Sequence, residues 1–159
     1  MFEIRKVTAD DSDFLFCLMN EPSVMKALNE VSTQRSDWED AISAWSADAD
    51  EEDYIILSGG QPIGWFAVNG LLSENGTVFL KMAALLPEYQ SKHIGRRALA
   101  QILERLRVLG IKSVRLFTNR DNLAAQKCYT ECGFEVMEEL TDEMSDGSFA
   151  VRYQMERKL

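Results

Sequence analysis

Residues 87–106 read PEYQSKHIGRRALAQILERL. A proline-led polar run reaches Gly95 and opens onto Ala98, Ile102, Leu106 and Leu109, apolar positions at helical spacing that stop at Gly110. The residues before it, Thr77 to Leu86, form an apolar run broken by Lys81 and read as a strand. A strand, a loop and a helix therefore meet here. The first turn of such a helix offers unpaired N–H donors and the positive end of its dipole, with Lys92, Arg96 and Arg97 alongside, a mouth suited to phosphate. By spacing alone, a turn relieved by Gly95 beside a solvated cationic face explains the same residues equally well.

Upstream, Phe2, Ile4 and Val7 predict a short strand, and Thr8 with Asp11 a capping box that opens a helix through Asn20. Pro22 breaks that helix, and Val24, Met25 and Leu28 suggest a further helical turn. Ser36 and Glu39 read as a second capping box, ahead of Trp38, Ile42 and Trp45 on one helical face. Tyr54–Leu57 and Ile63–Val68, on either side of Gly59 and Gly60, predict an antiparallel hairpin, and Asn75 with Gly76 a turn into the next strand. Downstream, Ser113–Phe117 alternates as a buried strand. Asn122 caps a helix bearing Ala125, Cys128, Tyr129 and Cys132 as a stripe, and Phe134–Leu140 with Ser148–Met155 form a closing hairpin around Asp146 and Gly147. An antiparallel meander leading into parallel βαβ crossovers predicts an α/β fold with a mixed sheet and helices on both faces.

With 159 residues, one domain over 1–159 is expected. Hydrophobic residues make up 46% of the chain and charged ones 27%, with no apolar run long enough to span a bilayer, so no membrane partner is expected. MFEIRKVTADD interrupts its apolar residues with charge at once, which argues against a secretory or transit signal and for a cytoplasmic protein. Cys17, Cys128 and Cys132 lack paired spacing, so reduced, buried thiols are expected rather than disulfides or a metal site. A net charge of −9 argues against nucleic acid and mildly favours small cationic partners, although such a charge also serves solubility alone. Acid crowds Asp48 to Asp53, read as a linker, while Lys92, Arg96, Arg97, Arg105 and Arg107 make one local basic patch. Neither a Walker loop nor G-x-G-x-x-G is present.

LLPEYQSKHIGRRAL, residues 85–99, resembles the Q/R-x-x-G-x-G/A pyrophosphate loop of the GNAT superfamily of acetyl-CoA-dependent N-acetyltransferases. NLAAQKCYTECGF, residues 122–134, resembles that family's second signature, N-x-x-A-x-x-x-Y-x-x-x-G-F, position for position. Two such motifs at this separation are far more specific than either alone. The resemblance covers nearly the whole chain and implies a GNAT-like, mostly antiparallel sheet of about seven strands.

It further implies that Gln90 starts a loop whose backbone N–H groups, from Ser91, Lys92, His93, Ile94, Gly95 and Arg96, wrap the acetyl-CoA diphosphate. Ala83, Ala84 and Leu85 would lie where the strand bulges and splays, so that the pantetheine arm pairs with the freed edge, and Asn122 would touch that arm. Tyr129 would be the general acid for the departing thiolate. The implied reaction passes an acetyl group directly to a primary amine of a small molecule or protein, with no metal. The chain departs from the pattern in two respects: His93 stands where a glycine is expected, and neither Phe79 nor Phe117 supplies a carboxylate base. Glu30 or Glu74, acting through water, are candidates for that proton; the resemblance implies that roughly Asn20 to Asp37 line the acceptor side of the cleft, with Trp65 and Phe117 as candidates for its apolar wall. A catalytically silent acyl-CoA-binding or regulatory module, or a phosphate site for another nucleotide, are the competing readings. The closing hairpin could add edge pairing across a homodimer.

Overall fold

A computed structural model describes residues 2–159. The chain runs β1 (Phe2–Lys6), α1 (Ser12–Met19), α2 (Pro22–Leu28), α3 (Arg35–Ser46), β2 (Glu51–Ser58), β3 (Gln61–Asn69), β4 (Thr77–Leu85), α4 (Ile94–Val108), β5 (Ser113–Asn119), α5 (Leu123–Glu131), β6 (Glu135–Glu143) and β7 (Phe149–Lys158). The seven strands form one sheet in the order β1-β2-β3-β4-β5-β7-β6. Its pairs are antiparallel except β4 with β5. The expected fold class is observed, with one correction. The plural parallel crossovers reduce to a single parallel pair, because β7 inserts antiparallel between β5 and β6. None of the described helices is long and apolar enough to cross a membrane.

Each face of the sheet is covered by a different set of helices. On one face α4 and α5 pack against Tyr54, Ile56, Phe66, Val68, Val78 and Leu116. Spacing explains α4: Ala98, Leu99, Ile102, Leu103 and Leu106 recur every three or four residues and are all buried. Burial of the larger side chains in that row contributes roughly 1.5–3 kcal/mol each. On the other face α1, α2 and α3 bury Leu15, Leu18, Val24, Trp38 and Ile42 against Ile55, Trp65 and Ala67. The hairpin between β2 and β3 turns through Gly59 and Gly60, both at positive φ (56° and 79°), a conformation glycine adopts without steric cost.

Several local expectations are corrected. Pro22 opens α2 from its first turn, where a missing N–H costs nothing. The cap of α3 lies two residues earlier than Ser36 and Glu39: Asp37 accepts the Gln34 N–H at 2.8 Å, which leaves Ser36 inside the first turn. The acidic residues read as a linker include the start of β2. Glu51 and Glu52 find cations far away in sequence, Lys81 at 2.5 Å and Arg105 at 2.6 Å, which is why a local reading leaves them in solvent. Cys17 is exposed, on the side of α1 opposite Leu15 and Leu18, so only Cys132 is a fully buried thiol.

Candidate functional site

β4 and β5 pair only over Thr77–Phe79 with Ser113–Arg115 and then separate. Where they part, the Phe79 and Phe117 rings stack with centroids 6.1 Å apart and planes 10° from parallel. Immediately beyond, the register of β4 against β3 jumps from Leu80–Val68 to Met82–Ala67, leaving Lys81 as the bulged residue. The bulge thus precedes Ala83 rather than lying at residues 83–85. At the end of β4 the Leu86 N–H donates to the Ile63 carbonyl at 2.8 Å. Antiparallel alternation then turns the N–H and C=O groups of Leu85 and Ala83 away from β3, toward the opening beside β5. The Leu85 carbonyl is met there by Gln90 Nε2 at 2.9 Å.

The loop that follows reverses the chain with two left-handed residues, Ser91 at φ 60° and His93 at φ 62°. His93 occupies the conformation a glycine would take and is the N-terminal cap of α4. The Arg97 N–H donates to the His93 carbonyl at 3.1 Å, so the N–H groups of Ile94, Gly95 and Arg96 lie ahead of the intrahelical ladder. Gly95 and Arg96 line a cavity of about 350 Å³ between β4, α4, α5 and α2.

Ten of the twelve residues singled out from sequence line this cavity. Ala83, Ala84 and Leu85 form the strand side, Gln90, Ser91, His93, Gly95 and Arg96 the loop and helix start, and Asn122 and Tyr129 the α5 side. Lys92 and Ile94 do not line it. The Lys92 ammonium lies 5.8 Å from the centroid of the Tyr89 ring, and Ile94 packs into the core. Val24, Ala27 and Leu28 of α2 also line the cavity, within the segment Asn20–Asp37 expected along the cleft, as does Cys128. The sequence reading did not single out Phe66 of β3 or Lys127 and Glu131 of α5; those on α5 were legible at helical spacing around Asn122 and Tyr129, whereas Phe66 depends on tertiary packing.

Tyr129 is 9% exposed and its ring packs edge-on against Phe134. Among the described residues its hydroxyl has no hydrogen-bond partner, and burial, with the neighbouring Cys128 and Cys132, holds it above the ordinary tyrosine range. The phenol therefore keeps its proton through neutral pH. Hydrogen bonding with Cys132, then burial, raises the Cys128 thiol, which disfavours it as a nucleophile. Asn122 caps α5, its Oδ1 accepting the Ala125 N–H at 3.2 Å.

The basic patch is smaller than expected. Arg105 and Arg107 are paired with Glu52 and Glu104 away from the cavity, and the Arg97 guanidinium lies over Phe2. Arg96 reaches Glu131 at 3.2 Å. Lys127, by contrast, forms no ion pair among the described residues. Glu30 and Glu74 do not line the cavity. Nor does Trp65, which is buried, donates its indole N–H to Asp53 at 2.9 Å, and lies among Trp38 and Trp45. Asp53 is buried with it, and desolvation, then hydrogen bonding with Glu51, push its carboxyl up to about 8.

The profile of the acetyltransferase (GNAT) family matches residues 18–134. Among solved structures, the spermidine N-acetyltransferase of Vibrio cholerae, in complex with CoA and spermine, superposes with a TM-score of 0.89 at 19% identity, covering 99% of this chain and 95% of that one. The ribosomal-protein-alanine N-acetyltransferase of Brucella melitensis gives 0.83 at 18% identity, with 99% of each chain covered. An uncharacterized protein of Methanocaldococcus jannaschii is 25% identical over 138 residues; the match takes in 83% of this chain but only 28% of that relative's length.

Proposed function

Because the chain belongs to the GNAT acetyltransferase family, we propose that it transfers an acetyl group directly from acetyl-CoA to a primary amine, with Tyr129 as the general acid. The observation that carries this reading is the convergence on one cavity of three features: the freed edge of β4, the open start of α4, and a buried, protonated tyrosine without a partner.

Each part has a task in that reaction. The N–H groups of Ser91, His93, Gly95 and Arg96, at the positive end of α4, receive the diphosphate of the donor, and Lys127 adds a full charge from α5. Gln90 fixes the loop to Leu85, and Asn122 flanks the arm. Ala83 and Leu85 offer backbone hydrogen bonds to the extended pantetheine as a strand would, and the small side chains at 83 and 84 permit close approach. The same N–H groups can hold the oxyanion formed when the amine nitrogen attacks the thioester carbonyl. As the carbon–sulfur bond breaks, Tyr129 gives its proton to a thiolate whose thiol has a pKa of about 8.5. The proton released by the amine returns through solvent.

The acceptor is an amine of a small molecule or a protein. One observation favours the rival reading of a donor-binding module without turnover: among the described residues Glu131 is the one carboxylate lining the cavity, and it is paired with Arg96. Incubation with acetyl-CoA and a broad panel of primary amines, read by appearance of free thiol, separates the two. Acetyl-CoA-dependent thermal stabilisation with amine-dependent thiol release is expected; stabilisation without release from any amine would leave the module reading.

A further inference from the structure

The point at which β4 leaves β5 has a tether on its far side. Lys81 is the bulged residue, two positions beyond the last residue of β4 paired with β5. Its side chain does not run to solvent. The ammonium crosses β3 to Glu51 on β2, 2.5 Å away, and lies 4.9 Å from the centroid of the Trp45 ring. The Glu51 end is sheltered, with 8% of its side chain exposed, while 28% of the Lys81 side chain stays open to solvent. The socket is firm: Trp45 stacks on Trp65 at 5.1 Å, and Trp65 is hydrogen-bonded to the buried Asp53 beside Glu51. Every one of these partners lies on the side of β4 opposite β5.

We propose that Lys81 is a positioning residue for the acyl donor: its ion pair with Glu51 draws the bulged strand toward β2, and so sets the width of the gap along which the donor's arm pairs with Ala83 and Leu85. This rests on the acetyl-CoA reading above. Such a pair suits a tether because loss of the ammonium would strand the sheltered Glu51 carboxylate with little water, so the pair resists slackening more than a fully exposed bridge does. Lys81 and its partners lie outside the cavity lining, so Lys81 acts through the backbone of β4 and touches neither the diphosphate nor the reacting atoms.

The test compares two probes, acetyl-CoA and 3′,5′-ADP, which keeps the adenosine, its 3′-phosphate and the first phosphate of the diphosphate but lacks the arm. Dissociation constants are measured by calorimetry for the wild type, Lys81→Met, Lys81→Arg and Glu51→Gln, with thermal unfolding recorded for each. Lys81→Met and Glu51→Gln are expected to weaken acetyl-CoA about tenfold while 3′,5′-ADP changes less than twofold. Lys81→Arg should keep most of the wild-type affinity for both. A merely structural role would weaken the two probes in parallel, and that result, or unchanged acetyl-CoA binding in both Lys81→Met and Glu51→Gln, would overturn the proposal alone. Failure of the wild type to bind acetyl-CoA would overturn the functional reading and this inference with it. Glu51→Gln keeps the readout available if Lys81→Met does not fold.

Discussion

The Tyr129 ring meets Phe134 edge-on, with centroids 6.0 Å apart and planes inclined by 63°. The contact fixes the direction of the phenol without using its hydroxyl, which is left for a substrate. Tyr129→Phe preserves this packing and removes only the hydroxyl, and with it the proton. We expect kcat to fall by about 10²-fold, with acetyl-CoA affinity and thermal midpoint nearly unchanged. Because burial holds the phenol above its ordinary value, any alkaline loss of kcat below about pH 10 should persist unaltered in shape when residual activity of the variant is profiled.

His93 carries a side chain at φ 62°. Left-handed backbone costs an ordinary residue about 1–2 kcal/mol, partly offset by the extra freedom glycine would bring to the unfolded chain. His93→Gly should therefore stabilise the protein by up to about 1 kcal/mol, and His93→Val, branched at Cβ, should destabilise it by about the same amount or more. Urea midpoints measure both. A lower midpoint for the glycine variant would show that the imidazole contributes more than its backbone geometry costs.

Gly64 on β3 faces the end of β4 so closely that a Cβ would stand 2.4 Å from Leu85 Cδ2 and 2.7 Å from the Ala84 carbonyl oxygen. One obstacle is backbone and cannot rotate aside. Gly64→Ala should cost about 1–3 kcal/mol and, by displacing Ala84 and Leu85, should raise the KM for acetyl-CoA. Retained stability with an unchanged KM would contradict that crowding.

Asp53 gives a pH dependence with a definite sign. Its carboxyl is raised to about 8 in the folded protein, against about 3.9 when exposed in the unfolded chain. Its contribution to stability is complete below the lower value and is lost as pH rises toward the upper one, because the unfolded chain releases a proton that the fold retains. Asp53→Asn keeps an acceptor for the Trp65 N–H and cannot titrate, so its unfolding free energy should decline less between about pH 4 and 8 than that of the wild type. Parallel urea titrations at several pH values decide it.

Local signals carried much of this architecture. Spacing alone located α4, and the asparagine at 122 marked the start of α5. The two motifs at 85–99 and 122–134 hold eight of the ten named residues around the hollow, and Ala83 and Ala84 come from the strand just before the first. What stayed hidden is non-local. Glu51 and Asp53 look solvated until Lys81 and Trp65 arrive from other strands, and Phe66 reaches the cavity only through the pairing of β3 with β4. The tolerance of position 93 for a left-handed conformation likewise belongs to the turn rather than to the residue type.

The interior place of β7 has a consequence for biosynthesis. A chain emerges from the ribosome in sequence order, yet residues 149–158 fill a slot whose two walls, β5 and β6, are made earlier. Until they arrive, both walls present unsatisfied peptide groups to each other and to other chains. Nascent molecules stalled before residue 149 should accordingly be the aggregation-prone species, and the α5 side of the cleft should acquire its final shape only once residues 149–158 have emerged.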